Sequence, residues 1–213
     1  MTGPALIWYA AYGSNLHLAR LTAYLAGGRP PGGTRVYPGC RDPSPPRAIR
    51  PVRLPGTLYF ALESAVWTGG SAFLDPHAAG RTPARAYLLT AAQFSDLAAQ
   101  EMHRPPGADL DLSTVLHAGR AALGPGRYET LIHPGTIDGH PLLTFTAPWR
   151  SAEAALAPPA LGYLRHLAAG LGEAHAWPTP RIAGYLATRP GAAGHWQADT
   201  LTDLLSPPGA TRM

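Results

Sequence analysis

Residues 5–12 form an apolar run that stops at Gly13, Ser14 and Asn15, and a helical pattern begins at once. A short apolar stretch bounded by turn residues reads as a buried strand. Leu16, Leu18, Leu21 and Leu25 then recur at near-helical spacing over residues 15–26, before a stop at Gly27 and Gly28. This is the pattern of a short amphipathic helix with a glycine terminator. A chain that passes from buried strand to helix through so tight a turn is committed to a fold that mixes the two. The turn also has a chemical reading. Its backbone N–H groups, with the adjacent helix N-terminus, make a seat for a carboxylate or a developing oxyanion. Gly13 can adopt positive φ and leaves room for a ligand beside the backbone. Ser14 or Asn15 can cap the helix and still face that ligand.

The rest of the chain alternates strands with helices. Residues 57–63, 71–74 and 83–89 read as strands, the first two separated by Trp67, Thr68, Gly69 and Gly70. Thr90 is placed to cap a helix over residues 91–102 that puts Phe94, Leu97 and Ala98 on the core side. Residues 111–120 hold a short helix ending near Gly119. Residues 128–137 and 141–147 flank Asp138-Gly139, a strong two-residue hairpin signal. Helices follow over residues 161–174 and 181–187. Residues 29–55 are dense in Gly and Pro and lack periodicity, which predicts a functional loop or a lid over a site. Residues 191–213 are again rich in Gly and Pro and read as a loose C-terminal tail beyond a domain of residues 1–190. The hairpins exclude a purely parallel sheet, so composition and pattern alone give a mixed α+β class.

At 213 residues, with 46% hydrophobic content, the chain has room for one domain with a substantial core. No apolar run approaches the roughly 20 residues of a membrane helix, so no membrane association is expected. The N-terminus lacks a basic region followed by a long apolar stretch, which argues against a signal peptide. Cys40 is the sole cysteine, which excludes an internal disulfide and a cysteine-rich zinc site and suits a reducing cytoplasm. Its Gly-, Pro- and Arg-rich surroundings speak against a nucleophile. The net charge of +4 comes entirely from Arg, because the chain has no Lys. Schiff-base chemistry through a side-chain amine is therefore excluded. Arg41, Arg47, Arg50 and Arg53 form the only basic cluster, and prolines interrupt it. It reads as a solvated loop, and no nucleic-acid partner is expected. His133, His140, His166 and His175 form no metal-binding pattern. No metal or cofactor is expected.

Three landmarks in the first half of the chain, and a fourth near its end, carry a family resemblance. Tyr12-Gly13-Ser14-Asn15-Leu16 after an N-terminal strand resembles the substrate-binding loop of the gamma-glutamylcyclotransferase-like proteins. Ser64-Ala65-Val66-Trp67, followed by Gly69 and Gly70, is similar to that family's Ser-x-x-Trp and glycine run. The stretch from Tyr87 to Glu101 is similar to its strand, helix and acidic residue, although Met102 stands where the family usually has Gly. Tyr163-Leu164 resembles the Tyr-Leu pair that starts its closing helix. The resemblance implies a mixed, barrel-like β-sheet flanked by helices. It also implies conversion of a γ-glutamyl amide to 5-oxoproline and a free amine, without metal or cofactor. Glu101 is then the general acid/base. Tyr12, Gly13, Ser14, Asn15, Leu16, Gly69 and Gly70 bind a small γ-glutamyl-type substrate.

Residue chemistry leaves rivals open at this point. Glu101 lies at a helix C-terminus, where the dipole disfavours negative charge and favours a proton-carrying acid. Glu63 is a second carboxylate, on a strand whose alternation turns it outward. Asp75, before Pro76, reads as a turn residue. Tyr9 and Tyr12 are explained by core packing, and Trp67 by anchoring. Ser14 with a histidine base would be a small-amide hydrolase, though no Gly-x-Ser-x-Gly elbow is present. A non-catalytic binder of a small carboxylate or amino-acyl ligand is the other alternative. It does not require Glu101 to face the 12–15 loop.

Overall fold

The computed structural model describes residues 5–30, 32–64 and 67–206. In chain order it begins with β1 (Leu6–Ala11), a 3-10 turn (Ser14–Leu16) and α1 (Leu18–Ala26). Then come β2 (Ile49–Pro55), β3 (Thr57–Glu63), β4 (Gly70–Asp75), β5 (Arg81–Thr90), α2 (Ala91–Glu101) and α3 (Ser113–Ala118). The chain continues through β6 (Arg120–Ala122), β7 (Thr130–Ile137), β8 (His140–Thr146), α4 (Leu161–His175), α5 (Thr179–Ala187) and α6 (Ala198–Leu205).

Six strands form one sheet in the order β2-β5-β1-β8-β7-β6, and β3 pairs with β4 beside it. β1 runs antiparallel to β5 and parallel to β8, so the sheet is mixed. Its central position explains why residues 5–12 read as unbroken apolar sequence: both faces are covered. Trp8, Ala10 and Tyr12 pack with Leu164, Leu167 and Leu171 of α4 and with Ile182 and Leu186 of α5. Ile7, Tyr9 and Ala11 pack with Leu21 and Leu25 of α1 and with Phe94 and Leu97 of α2. β7 and β8 close through Asp138 (φ 49°) and Gly139 (φ 77°), the two positive-φ positions of a two-residue hairpin. No helix among the described residues is long and apolar enough to cross a membrane.

Two sequence expectations are corrected here. Residues 29–55 are not all loop, because 49–55 form β2 at the edge of the sheet, paired only with β5. An edge strand tolerates Pro51 and Pro55 because one side needs no N–H donor. Within the Arg cluster, Arg50 and Arg53 lie on this strand, and Arg41 pairs with the buried carboxylate of Asp96. Nor is the segment after Pro190 loose up to residue 206. Leu201 of α6 is fully buried, and Trp196 Nε1 donates to the Pro159 carbonyl at 2.9 Å. Gly191 (φ 87°) backs so closely onto the Phe60 carbonyl that a side chain there would collide with it. That glycine marks close approach, not slack. Residues 207–213 of the expected tail lie outside the described residues.

Candidate active site

After β1 the chain makes the 3-10 turn, and α1 starts only at Leu18, with His17 as its N-cap. Ser14 and Asn15 therefore cap no helix with their side chains. The N–H groups of Leu16 and His17 bond back to Gly13 O (3.0 Å) and Ser14 O (3.2 Å), and that of Ser14 faces the Tyr163 hydroxyl. The turn thus consumes several of the amides expected to serve a ligand. Gly13 has φ −99°, open to any residue. What it supplies is clearance: a Cβ there would stand 3.2 Å from Tyr163 Oη and 3.6 Å from Ala72 Cβ. Leu16 is 1% exposed and belongs to the core. Its carbonyl accepts from Tyr87 Oη and from Arg85 Nη1, each at 3.1 Å.

A cavity of about 360 Å³ opens against this turn, and Tyr12, Gly13, Ser14 and Asn15 line it together with Glu101. The sequence sets Glu101 in place through α2. Thr90 Oγ1 accepts from Gln93 N, and Gln93 Oε1 accepts from Thr90 N, a reciprocal cap that fixes the helix start. The helix then runs to Glu101. Met102 has φ −80°, and the left-handed position falls on His103 (φ 58°). The chain therefore turns without a glycine after the carboxylate. Asn15 Nδ2 donates to Glu101 Oε1 at 2.9 Å, joining two landmarks 86 residues apart. Glu63 reaches the rim of the same cavity but is exposed. A register shift between Ala61 and Glu63, with Leu62 at φ 53°, breaks the alternation that would have turned it away.

Of the lining residues that sequence reasoning did not single out as functional, three carry the most chemistry. Arg20, only 3% exposed, donates through Nε to Ser14 Oγ (2.7 Å) and through Nη2 to Tyr37 Oη (2.8 Å). Tyr163 Oη accepts from Ala72 N at 3.2 Å and also faces the Ser14 N–H. With N–H groups directed at its oxygen, its own proton is the group to present. Burial pushes that phenol up to about 12, with the Glu101 charge adding, so the proton stays on at neutral pH. Gln100 is the third: its amide nitrogen Nε2 donates to Tyr24 O at 3.0 Å, and its Oε1 is buried without a donor among the described residues. One signal was legible. Arg20 and Tyr24 are one helical turn apart and share a face.

The remaining candidates fall elsewhere. Gly69 and Gly70 do not line the cavity. A Cβ on Gly69 would come within 2.7 Å of Ala160 N, and one on Gly70 would run into the Ala157 carbonyl. Both glycines let the 157–160 backbone pass. Trp67 does line the cavity, and its N–H bonds Ser64 Oγ at 3.2 Å; Ala65 and Val66 lie outside the described residues. Tyr9 and Tyr12 serve both core and cavity wall. Asp75 is buried and accepts from His77 N, Ser151 N and Ser151 Oγ, a structural hub. Ser14 Oγ is bonded by a guanidinium, and no histidine bonds it among the described residues. His17 and His166 instead face each other, 3.1 Å between their Nδ1 atoms. Among the described residues, no group of three or more His, Cys, Asp or Glu is placed to hold a metal ion.

The fold can be set beside known proteins. The uncharacterized human protein loc79017 superposes with a TM-score of 0.51 at 18% identity, over 94% of this chain and 98% of that one. The fold is shared. It is an α+β fold with a mixed sheet flanked by helices. A solved structure of gamma-glutamyl cyclotransferase gives a TM-score of 0.48 at 16% identity, over 94% of this chain and 98% of that one. The chain matches no protein-family model. In sequence it is 32% identical over 185 residues to histone deacetylase 5 of Arabidopsis thaliana. That match covers 78% of this chain but spans only 28% of the plant protein's length.

Proposed function

We propose that this chain cyclises a γ-glutamyl amide to 5-oxoproline and a free amine. The observation that carries the reading is the 2.9 Å contact of Asn15 with Glu101 inside a cavity walled by the 12–15 turn. The family resemblance of the turn and the acidic residue names the reaction, and the geometry supplies groups for each step. The substrate's own α-amine is the nucleophile, tethered to the carbonyl it attacks, so the protein chiefly orients a five-membered ring closure. The Glu101 carboxylate takes a proton from the α-ammonium. The freed amine nitrogen bonds to the γ-carbonyl carbon, whose oxygen becomes an oxyanion. The Tyr163 hydroxyl donates to that oxygen. Protonated Glu101 then returns its proton to the departing nitrogen as the amide C–N bond breaks, takes the second proton from the ring nitrogen to leave a lactam N–H, and passes it to the released amine. No water, electron or net proton is consumed.

The test is incubation with a panel of γ-glutamyl amides and amino-acid derivatives, with 5-oxoproline and released amine both quantified. The reading expects the two in equal amounts, with EDTA leaving the rate unchanged. Release of glutamate in place of 5-oxoproline would show attack by water and overturn it.

A further inference from the structure

The cavity contains a buried cation with no direct ion-pair partner among the described residues; the partly buried Glu101 carboxylate in the same cavity acts on it only from beyond pairing distance. Four other arginines, Arg41, Arg50, Arg85 and Arg104, each pair with a carboxylate. Arg20 is more buried than any of the four, yet it forms no ion pair among the described residues. Among the described residues only two neutral hydroxyls accept from it, those of Ser14 and Tyr37. The rings of Tyr24, Tyr37 and Trp67 surround it at 5.5, 5.5 and 5.0 Å. Guanidinium has five N–H donors in a planar fork that matches a carboxylate, so most of that capacity is open. An unpaired buried charge is expensive to maintain. Close by, the cavity shows the opposite deficit. Asn15 Oδ1 and Gln100 Oε1 are buried acceptors with no donor among the described residues, on residues 3% and 2% exposed that line the same space.

A ligand that offers both an anion and an N–H group satisfies both deficits. The amino-acid head of a γ-glutamyl compound is such a group, with a carboxylate and an amine on one carbon. We propose that Arg20 reads the ligand's α-carboxylate and makes a free carboxylate obligatory, while the Asn15 and Gln100 oxygens receive the adjacent N–H. The identity of the ligand rests on the proposed function; the anion requirement rests on Arg20 itself. The residue acts in binding and holds the head group so that its nitrogen faces Glu101.

Calorimetry with 5-oxoproline and its neutral amide, 5-oxoprolinamide, tests this without turnover. The unmodified protein should bind the acid roughly 10- to 100-fold tighter, the range for a hydrogen-bonded charge pair. Arg20→Met should bring the ratio close to one, and Arg20→Lys should keep only part of it because the fork is lost. Equal affinity for acid and amide in the unmodified protein, or no binding of 5-oxoproline to it, overturns the proposal whether or not a variant folds. Full discrimination in Arg20→Met also overturns it. Carboxylate discrimination without 5-oxoproline release from any γ-glutamyl amide would leave Arg20's role standing and remove the cyclisation.

Discussion

Two glycines in α4, two residues apart, should respond to alanine with opposite signs. A helix interior favours Ala over Gly by about 1 kcal/mol, so sequence alone predicts that both substitutions stabilise. Gly172 has nothing within 4 Å of a built Cβ, and there the propensity gain stands unopposed. Gly170 lies against the site turn. A Cβ there would run into the Cβ and carbonyl carbon of Leu16 and come within 2.6 Å of the His17 nitrogen. Ordinary carbon contacts are about 3.5–4.0 Å, and two of the three obstructing atoms are backbone, which cannot rotate aside. Overpacking of this kind costs about 1–3 kcal/mol, and backbone overlap places Gly170→Ala toward the upper end. After the propensity gain the net loss is about 1–2 kcal/mol. At about 2–4 °C per kcal/mol for a chain of this size, Tm should fall by about 2–8 °C for Gly170→Ala and rise by about 2–4 °C for Gly172→Ala. Calorimetric scans of the two variants at one pH decide it. A rise in Tm for both would refute the claim that α4 is seated directly on the turn that carries Ser14 and Asn15.

His166 is pushed down to about 4 by burial, with the charges of Arg20 and His17 adding. Its folded value lies below its unfolded value near 6.5, so the unfolded chain binds the extra proton first. This contribution to stability is complete above about pH 6.5 and is lost as pH falls toward 4; Tm measured from pH 7 to 5 should drop less in His166→Gln than in the unmodified protein. The Cys40 thiol is pushed up to about 12 by burial, with Asp96 and Asp42 adding. Iodoacetamide at pH 7.5 should therefore label it far more slowly than a free cysteine peptide, as read by mass spectrometry, and rapid labelling would contradict its burial beside the Tyr24 carbonyl.

The local signals in the sequence were legible because they depend on neighbours in the chain. The apolar run of β1, the Thr90–Gln93 cap and the Asp138-Gly139 hairpin each follow from a few adjacent residues. β2 was hidden because Pro51 and Pro55 suppress the strand signal, and only its edge position makes them harmless. α6 was hidden because Gly191 looks like a linker when its reason lies at Phe60, far back in sequence. The site divides in the same way. Glu101 and Tyr12, Gly13, Ser14 and Asn15 came from motifs, and the fold brings them to one cavity. Gly69 and Gly70 had the right landmark and a different task, since the backbone they clear is that of residues 157–160. Arg20 and Tyr163 carry no motif that marks them functional. Their roles arise because α1 and α4 meet over the turn, a tertiary fact. Glu63 comes to the rim through a bulge at Leu62 that strand alternation does not anticipate.

The central claim is that Glu101 carries the proton in a ring closure, and turnover by Glu101→Gln tests it most directly. The amide keeps the volume and much of the hydrogen bonding to Asn15, so fold and 5-oxoproline affinity should persist. The rate of 5-oxoproline release should fall by roughly 10²–10⁴-fold, the usual loss for a general acid/base. The fall should appear in kcat more than in KM, because the proton moves in the transition state. Glu63→Gln, which changes the exposed carboxylate at the rim of the same cavity, should keep its kcat within about threefold, since surface changes are typically small. Undiminished kcat in Glu101→Gln, with collapse in Glu63→Gln, would contradict the account and move the chemistry to the rim.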